Sequence, residues 1–300
     1  MLKMENVLFQ GAVSEVVTPF DANGKVSFEL LEHEINYMLD KGVTGFFVNG
    51  LASEALMLSS AERFECAKKV IKTTNGRVPI MGNVIANSLE EGISIAKEYA
   101  DLGADAIIIT PPLIYKYTAD GIFSFFNEIA ASTQLPTYIY NAPETGNKLS
   151  PQLISKLLKA NSNIVGCKDS TQNIIEQQTL LSLVDEGRHF ELLAGSDAQI
   201  VSTIMLGGVG CISLITVVFP ELIVETCKAC ENGEWDKAIE LQAKVLRVRE
   251  MLKIGPFMAA YKYVSDKLGR PIGGMKKPMT YVTQQDIQEI DAILDKLDLL

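Results

Sequence analysis

The sequence predicts an α/β protein of the (β/α)8 TIM-barrel class with a C-terminal three-helix extension. Three observations predict it. Eight short runs rich in Val and Ile alternate with segments of helical period over about 230 residues, the length such a barrel needs. The runs are apolar almost throughout, as parallel strands covered on both faces should be. The first run leads into Thr18-Pro19-Phe20-Asp21, without the glycines that follow the first strand of a dinucleotide-binding sheet.

Taken in order, the lead-in Met1–Gly11 carries Glu5 and no small-residue cleavage site, so it reads as an approach to the first strand and not as a signal peptide. The first strand is predicted over Ala12–Val17, and Lys41-Gly42 closes the helix before the second, Gly45–Val48. Ser59-Ser-Ala-Glu62 has the spacing of a capping box, in which two side chains satisfy free N–H groups of a first helical turn; Asn75-Gly76 ends that helix before Val78–Met81. Ser88-Leu-Glu-Glu91 repeats the box, and Leu102-Gly103 precedes the fourth strand, Ala106–Ile109. Thr137–Tyr140 is the fifth strand; Ser150-Pro151 then supplies a cap and a proline at the first helical position. Ile164–Cys167, Glu191–Ala194 (after the stop Glu186-Gly187) and Cys211–Leu214 complete the set. After Asn232-Gly233 the strands cease: Glu234–Leu252, Pro256–Leu268 and Gln284–Leu299 read as helices, with Gly269–Tyr281 an irregular connection. Residues 1–232 are thus expected to be the barrel carrying the active site, and residues 233–300 the helical extension.

Composition narrows the function. The 300 residues are 47% hydrophobic and 21% charged, which suits a large packed core and excludes intrinsic disorder. A net charge of −10 repels phosphate backbones and anionic lipid, so neither nucleic acid nor membrane is an expected partner. No apolar run is long enough to span a bilayer. Five scattered cysteines fit reduced thiols in a cytoplasmic protein better than a disulfide framework.

In a barrel of this kind the C-terminal strand ends face the active-site mouth. Those ends bring forward Thr18, Asn49, Asn83, Thr110, Tyr140, Lys168, Gly195 to Asp197 and Ser213. Lys168 directly follows a buried apolar run, with Asp169-Ser170 expected to begin the next helix. Desolvation there would lower the pKa of the amine and free it to attack a carbonyl carbon. An ammonium that reaches out to water, or pairs with Asp169, is the other reading of the position alone. Tyr140 ends the neighbouring strand and could pass protons during imine formation; a packed, hydrated tyrosine is its alternative.

Several stretches then fall into a recognisable order: Val17-Thr-Pro-Phe20, Gly50–Ser59, Tyr140-Asn-Ala-Pro143, Gly166-Cys-Lys-Asp-Ser170, Gly195-Ser-Asp197 and Gly207-Gly-Val-Gly-Cys-Ile-Ser213. In these, over nearly its whole length, the chain resembles the dihydrodipicolinate synthase / N-acetylneuraminate lyase family of class I aldolases. The resemblance implies pyruvate bound as an imine on Lys168, proton shuttling by Tyr140, the Ile212 carbonyl and Gly195 lining the pocket, no cofactor or metal, and a homotetramer made of two tight dimers. It also exposes departures. Where the family has Gly-Thr-Thr-Gly-Glu this chain has Gly50-Leu51-Ala52-Ser53-Glu54, so both hydroxyls that hold the pyruvate carboxylate are gone, with Ser53 one place on as a substitute. The second of the synthases' paired tyrosines maps to Ile114, with Tyr115 as its stand-in. After Tyr140 there is no arginine for the aldehyde's carboxylate; Glu144 and Thr145 stand there instead.

These departures favour a lyase acting on a 2-keto-3-deoxy sugar acid or related hydroxy keto acid. Dihydrodipicolinate synthase proper, a keto-acid dehydratase, and a keto-acid-binding protein without turnover are the alternatives. Other signals are set aside. Cys227-Lys-Ala-Cys230 lacks further metal ligands, since His33 and His189 are the only histidines, and reads as two small buried residues on a helix. Gly207-Gly-Val-Gly210 precedes a strand, so it reads as a tight turn at the bottom of the barrel. Glu54 reads as a loop brace bonding backbone N–H groups, with an acid–base role as the alternative.

Overall fold

The computed structural model describes residues 7–297; residues 1–6 of the predicted lead-in, and the end of the last predicted helix at Leu299, lie outside that range. Eight parallel strands close into a barrel in sequence order: β1 (Gly11–Glu15), β2 (Gly45–Val48), β3 (Ile80–Val84), β4 (Ala106–Ile109), β5 (Thr137–Asn141), β6 (Ile164–Asp169), β7 (Glu191–Ala194) and β8 (Gly210–Ser213). The helices that follow each strand in turn are α1 (Phe28–Asp40), α2 (Ser60–Thr74), α3 (Leu89–Leu102), α4 (Ala119–Ala131), α5 (Pro151–Ala160), α6 (Ile174–Ser182), α7 (Ile200–Met205) and α8 (Pro220–Glu231). Beyond them come α9 (Trp235–Met251), α10 (Ala259–Lys267) and α11 (Gln284–Leu294).

The local signals act as their chemistry requires. Ser59 and Glu62 form a reciprocal capping box on α2, and Asn75 closes that helix in the left-handed conformation. Ser88 caps α3 through the Glu91 N–H, but Glu91 accepts instead from the Asn87 N–H, so the second box is only half formed. Ser150 caps α5 with Pro151 in the first turn.

Several strand ends differ from expectation: β1 is Gly11–Glu15 and not Ala12–Val17, β5 extends to Asn141, and β8 is Gly210–Ser213 and not Cys211–Leu214. β3 begins after Pro79, which has no N–H to give to the ladder although its carbonyl accepts from Phe46. β6 runs on through Lys168 and Asp169, because both stay paired with β5 and β7. Asp169-Ser170 therefore does not start a helix; α6 begins at Ile174 behind the Asn173 cap.

Apolar side chains fill two layers. Val13, Phe47, Met81, Ile108, Tyr138, Leu193 and Ile212 pack inside the barrel. A larger shell including Ile35, Val70, Ile107, Phe126, Leu157, Ile204 and Ile223 packs between barrel and helices. Cys227 and Cys230 are buried on α8, and all five cysteines are free thiols. Gly207 to Gly210 joins α7 to β8 at the end opposite the mouth. Among the described residues no helix is long and apolar enough to cross a membrane.

Candidate active site

Period-two alternation along β5 and β6 decides which side chains enter the barrel. Tyr138 pairs with Gly166 and Tyr140 with Lys168. A Cβ at Gly166 would lie 2.4 Å from the Tyr138 ring, so only glycine lets that ring fill the barrel beneath the lysine. Lys168, one row nearer the mouth, is 1% exposed. Its Nζ sits over the Tyr140 ring at 4.1 Å and the Phe47 ring at 4.4 Å, and those two rings meet edge to face.

The inward row of β1 supplies the partner. Val13 is followed two residues on by Glu15, buried at 4% exposure, whose Oε2 lies 3.3 Å from Lys168 Nζ. Glu15 Oε1 accepts the Ala52 N–H at 2.9 Å. Burial alone would pull the Lys168 pKa down, but Glu15 and then the Tyr140 phenol outweigh it and the pKa is raised. The expectation of an amine freed by desolvation is thereby corrected: the resting group is an ammonium held by a carboxylate. Tyr140 is pushed up to about 12, chiefly by burial against the opposing pull of Lys168, and its hydroxyl donates to Glu144 at 3.3 Å.

These groups line a cavity of about 510 Å3 at the C-terminal ends of the strands. Of the residues singled out from sequence, Lys168, Tyr140, Ala52, Gly195 and Ile212 all border it. Ser53 and Tyr115 do not. The Ser53 hydroxyl turns back to the Gly50 carbonyl at 2.6 Å, so it does not replace the missing threonine hydroxyls. Tyr115 is 70% exposed and outside the lining, so it does not take the place of the synthases' second tyrosine within this chain. Several polar strand ends also point away: Asn49, Asn83 and Thr110 hydrogen-bond in a chain of their own, fixed by the Tyr99 hydroxyl. A second cavity, of about 380 Å3, lies by Ser155, Leu158 and Arg188, away from the strand ends and their chemistry.

Glu54 is neither a loop brace nor a cavity acid. It is buried and pairs with Lys262 of α10 at 2.6 Å, and Lys262 donates also to the Gly274 carbonyl. This pair fastens the helical extension to the loop after β2.

Sequence reasoning missed three contributors. Glu15 was readable as a lone carboxylate in an apolar strand, in register with inward Val13. Arg249 and Lys253, at the end of α9 and just beyond it, border the cavity with no local motif to announce them. Asp197, already among the predicted strand ends, borders the cavity as well; burial raises it to about 6 against a hydrogen bond from Ser213. The cavity thus gathers acidic and basic side chains around the buried Lys168. Among the described residues no group of three or more His, Cys, Asp and Glu side chains is arranged to hold a metal ion.

A closed barrel with a buried lysine inside its mouth is the frame of the class I carbon–carbon lyases. Residues 8–297 match the dihydrodipicolinate synthetase family, and the chain belongs to it. That family consists of pyruvate-dependent carbon–carbon lyases and synthases. The 4-hydroxy-tetrahydrodipicolinate synthase of Rhizobium meliloti is 30% identical over 285 residues, covering 95% of this chain and 97% of the relative. That of Methanocaldococcus jannaschii is 29% identical, covering 98% of this chain and all of the relative. Among solved structures, an E. coli K12 prophage protein of the dihydrodipicolinic acid synthase family, in complex with pyruvate, superposes with a TM-score of 0.93 at 28% identity, covering 98% of this chain and 100% of that one. The chloride-inhibited dihydrodipicolinate synthase of Acinetobacter baumannii, complexed with pyruvate, gives 0.91 at 27%, with 97% and 99% covered.

Proposed function

We propose that this protein is a cofactor-free class I aldolase, in which Lys168 forms an imine with a keto acid of the pyruvate type and a carbon–carbon bond is then made to, or broken from, a hydroxylated aldehyde. The observation that carries this reading is the placement of Lys168: buried, walled by two aromatic rings, and open on one side to a cavity large enough for a small sugar acid. A protonated imine there withdraws electrons from the adjacent carbon, as carbon–carbon cleavage or condensation requires. Tyr140 is placed to move the accompanying proton, and its bond to Glu144 gives that proton a path toward the mouth.

The preference for a hydroxy keto acid over the aspartate semialdehyde used by a synthase rests on Glu144. It meets Tyr140 and borders the cavity in the stretch where a synthase presents arginine. Arg249 would then serve the one carboxylate of the keto acid. A homotetrameric, cytoplasmic enzyme belongs to the same proposal, with light scattering as the check on assembly. Borohydride reduction in the presence of pyruvate, followed by intact-mass measurement, tests the imine directly: one pyruvate should become fixed per chain, on the peptide that contains Lys168. Absence of any adduct would reject the proposal.

A further inference from the structure

We propose that Glu15 is the acid–base residue of imine formation, taking a proton from the Lys168 ammonium and returning it to the departing hydroxyl. This rests on the reading of Lys168 as the imine-forming lysine. Two independent features point to Glu15. Its Oε2 is 3.3 Å from Lys168 Nζ, and no other carboxylate among the described residues is within salt-bridge distance of that nitrogen. In addition, the loop after β2 is shaped around it: Ala52 gives its N–H to Oε1, and a Cβ at Gly50 would lie only 2.0 Å from the same oxygen.

The chemistry needs such a group. An ammonium has no lone pair, so Lys168 must lose a proton before it attacks. The Tyr140 hydroxyl is already a donor, to Glu144, and remains a phenol at neutral pH. Asp197 is occupied by Ser213, and Glu144 sits at the exposed rim. Tyr140 also hydrogen-bonds the nitrogen, but a phenol oxygen is a far weaker base than a carboxylate, and Glu15 is the carboxylate in contact.

The ammonium gives one proton to Glu15, leaving an amine and a carboxylic acid. The nitrogen lone pair forms a bond to the carbonyl carbon, whose π electrons move to oxygen. One nitrogen proton passes to that oxygen, giving a neutral carbinolamine. Glu15 then protonates the hydroxyl, the C–O bond breaks, and the nitrogen lone pair closes the C=N bond. Of the three ammonium protons, one stays on the iminium nitrogen and two leave in water. Glu15 ends as the carboxylate, now paired with an iminium, so the buried charge is the same before and after.

The test uses the full-length protein, with pyruvate as the probe and a timed borohydride quench to give the rate of imine formation. Circular dichroism establishes that each variant is folded. Glu15→Gln keeps the shape but cannot accept a proton, and its rate should fall by about 100-fold or more. Glu15→Ala should be similarly slow, and added formate should restore its rate saturably, by about tenfold or more, because a small carboxylate can occupy the vacated space. A residue that merely positions Lys168 would show no such rescue. Wild-type rates in both variants, a folded Glu15→Ala protein that ignores formate, or a Glu15→Gln protein that forms the imine faster than wild type would overturn the assignment. Lys168→Ala keeps the two readings apart. If trapping in wild type depends on Lys168 and not on Glu15, only the role of Glu15 is lost. If wild type traps no pyruvate, both readings go.

Discussion

Glu15 and Lys168 are 153 residues apart in sequence and 3.3 Å apart in space, at the ends of β1 and β6 and across the interior of the barrel. The contact exists because each is in an inward row. Each is also directly above a residue that fills the barrel, Val13 for one and the Gly166–Tyr138 pair for the other. An ion pair in that position orients the lysine, and also keeps it protonated until a carbonyl compound arrives.

This pairing sets the stability of the lysine variant. Truncating an unpaired buried ammonium would relieve a desolvation cost; truncating this one leaves Glu15 with only the Ala52 N–H. Lys168→Ala should therefore abolish borohydride trapping and also lower the unfolding free energy by about 1–3 kcal/mol, moderated by water in the open cavity. Urea denaturation checks the second part, and a variant more stable than wild type would show that the pair does not stabilise the fold.

Glu54→Gln separates scaffold from chemistry. The Glu54–Lys262 pair is wholly buried, and neither residue borders the cavity. Removing one charge leaves the other stranded, at a cost of about 3–5 kcal/mol. We expect a marked fall in Tm, with the rate of imine formation per folded molecule unchanged. A fall in that rate with Tm preserved would instead make Glu54 part of the acid–base machinery.

Glu34 on α1 gives the protein a pH-dependent stability. It is buried, its Oε2 has no partner, and its Oε1 has only a long contact from the Val17 N–H, so burial raises its pKa from 4.5 to about 8 against weaker opposition from that N–H and from Lys262. The folded state therefore holds a proton that the unfolded chain releases. The resulting stability is complete below pH 4.5 and is lost as pH rises toward 8, after which it is flat. Between about pH 6 and 8 the wild type should lose about 2–3 kcal/mol relative to Glu34→Gln. Denaturation of both proteins across this range decides it, and parallel curves would mean that Glu34 is ionised throughout.

The barrel was legible in the sequence because its signals are local. Eight apolar runs and their caps each report on a few neighbouring residues, and Ser59, Ser150 and Asn75 do in the fold what their types suggest. Lys168 and Tyr140 were legible for a related reason, since position at a strand end is a local property. What escaped was long-range or a matter of side-chain direction. Glu15 looked like one polar residue in the first strand until closure of the barrel brought it to the lysine. Ser53 has the right residue type at nearly the right place, yet its loop folds as a 3₁₀ turn and aims the hydroxyl at Gly50. Arg249 reaches the cavity only because the last helices pack back over the barrel, which no spacing in α9 could reveal.

Those last helices bear on substrate choice. Lys116 donates to the Gly146 carbonyl and Lys148 pairs with Glu176, so neither is free to replace the arginine that a synthase presents after its tyrosine. Arg249 and Lys253 are the remaining cations at the cavity besides Lys168, and they share the exposed Glu250 carboxylate, at 2.8 and 2.9 Å, a surface pairing that a substrate carboxylate can replace. If Arg249 holds the carboxylate of the keto acid, a second carboxylate, on the aldehyde, meets Glu144 at the mouth and has only exposed Lys253 to answer it. We therefore expect aspartate semialdehyde to be used with a kcat/KM about tenfold or more below that of an uncharged hydroxyaldehyde, a difference of ~1.4 kcal/mol in transition-state binding. Arg249→Ala should raise KM for pyruvate and weaken both reactions together, because the shared keto acid is what it holds. Glu144→Gln should favour aspartate semialdehyde selectively, because the repulsion it removes acts on that aldehyde alone. Steady-state kinetics with both aldehydes on the three proteins decides the matter. A wild type that prefers aspartate semialdehyde tenfold, and keeps that preference in Glu144→Gln, would mean that Lys253 or another cation at the mouth does the work of the absent arginine.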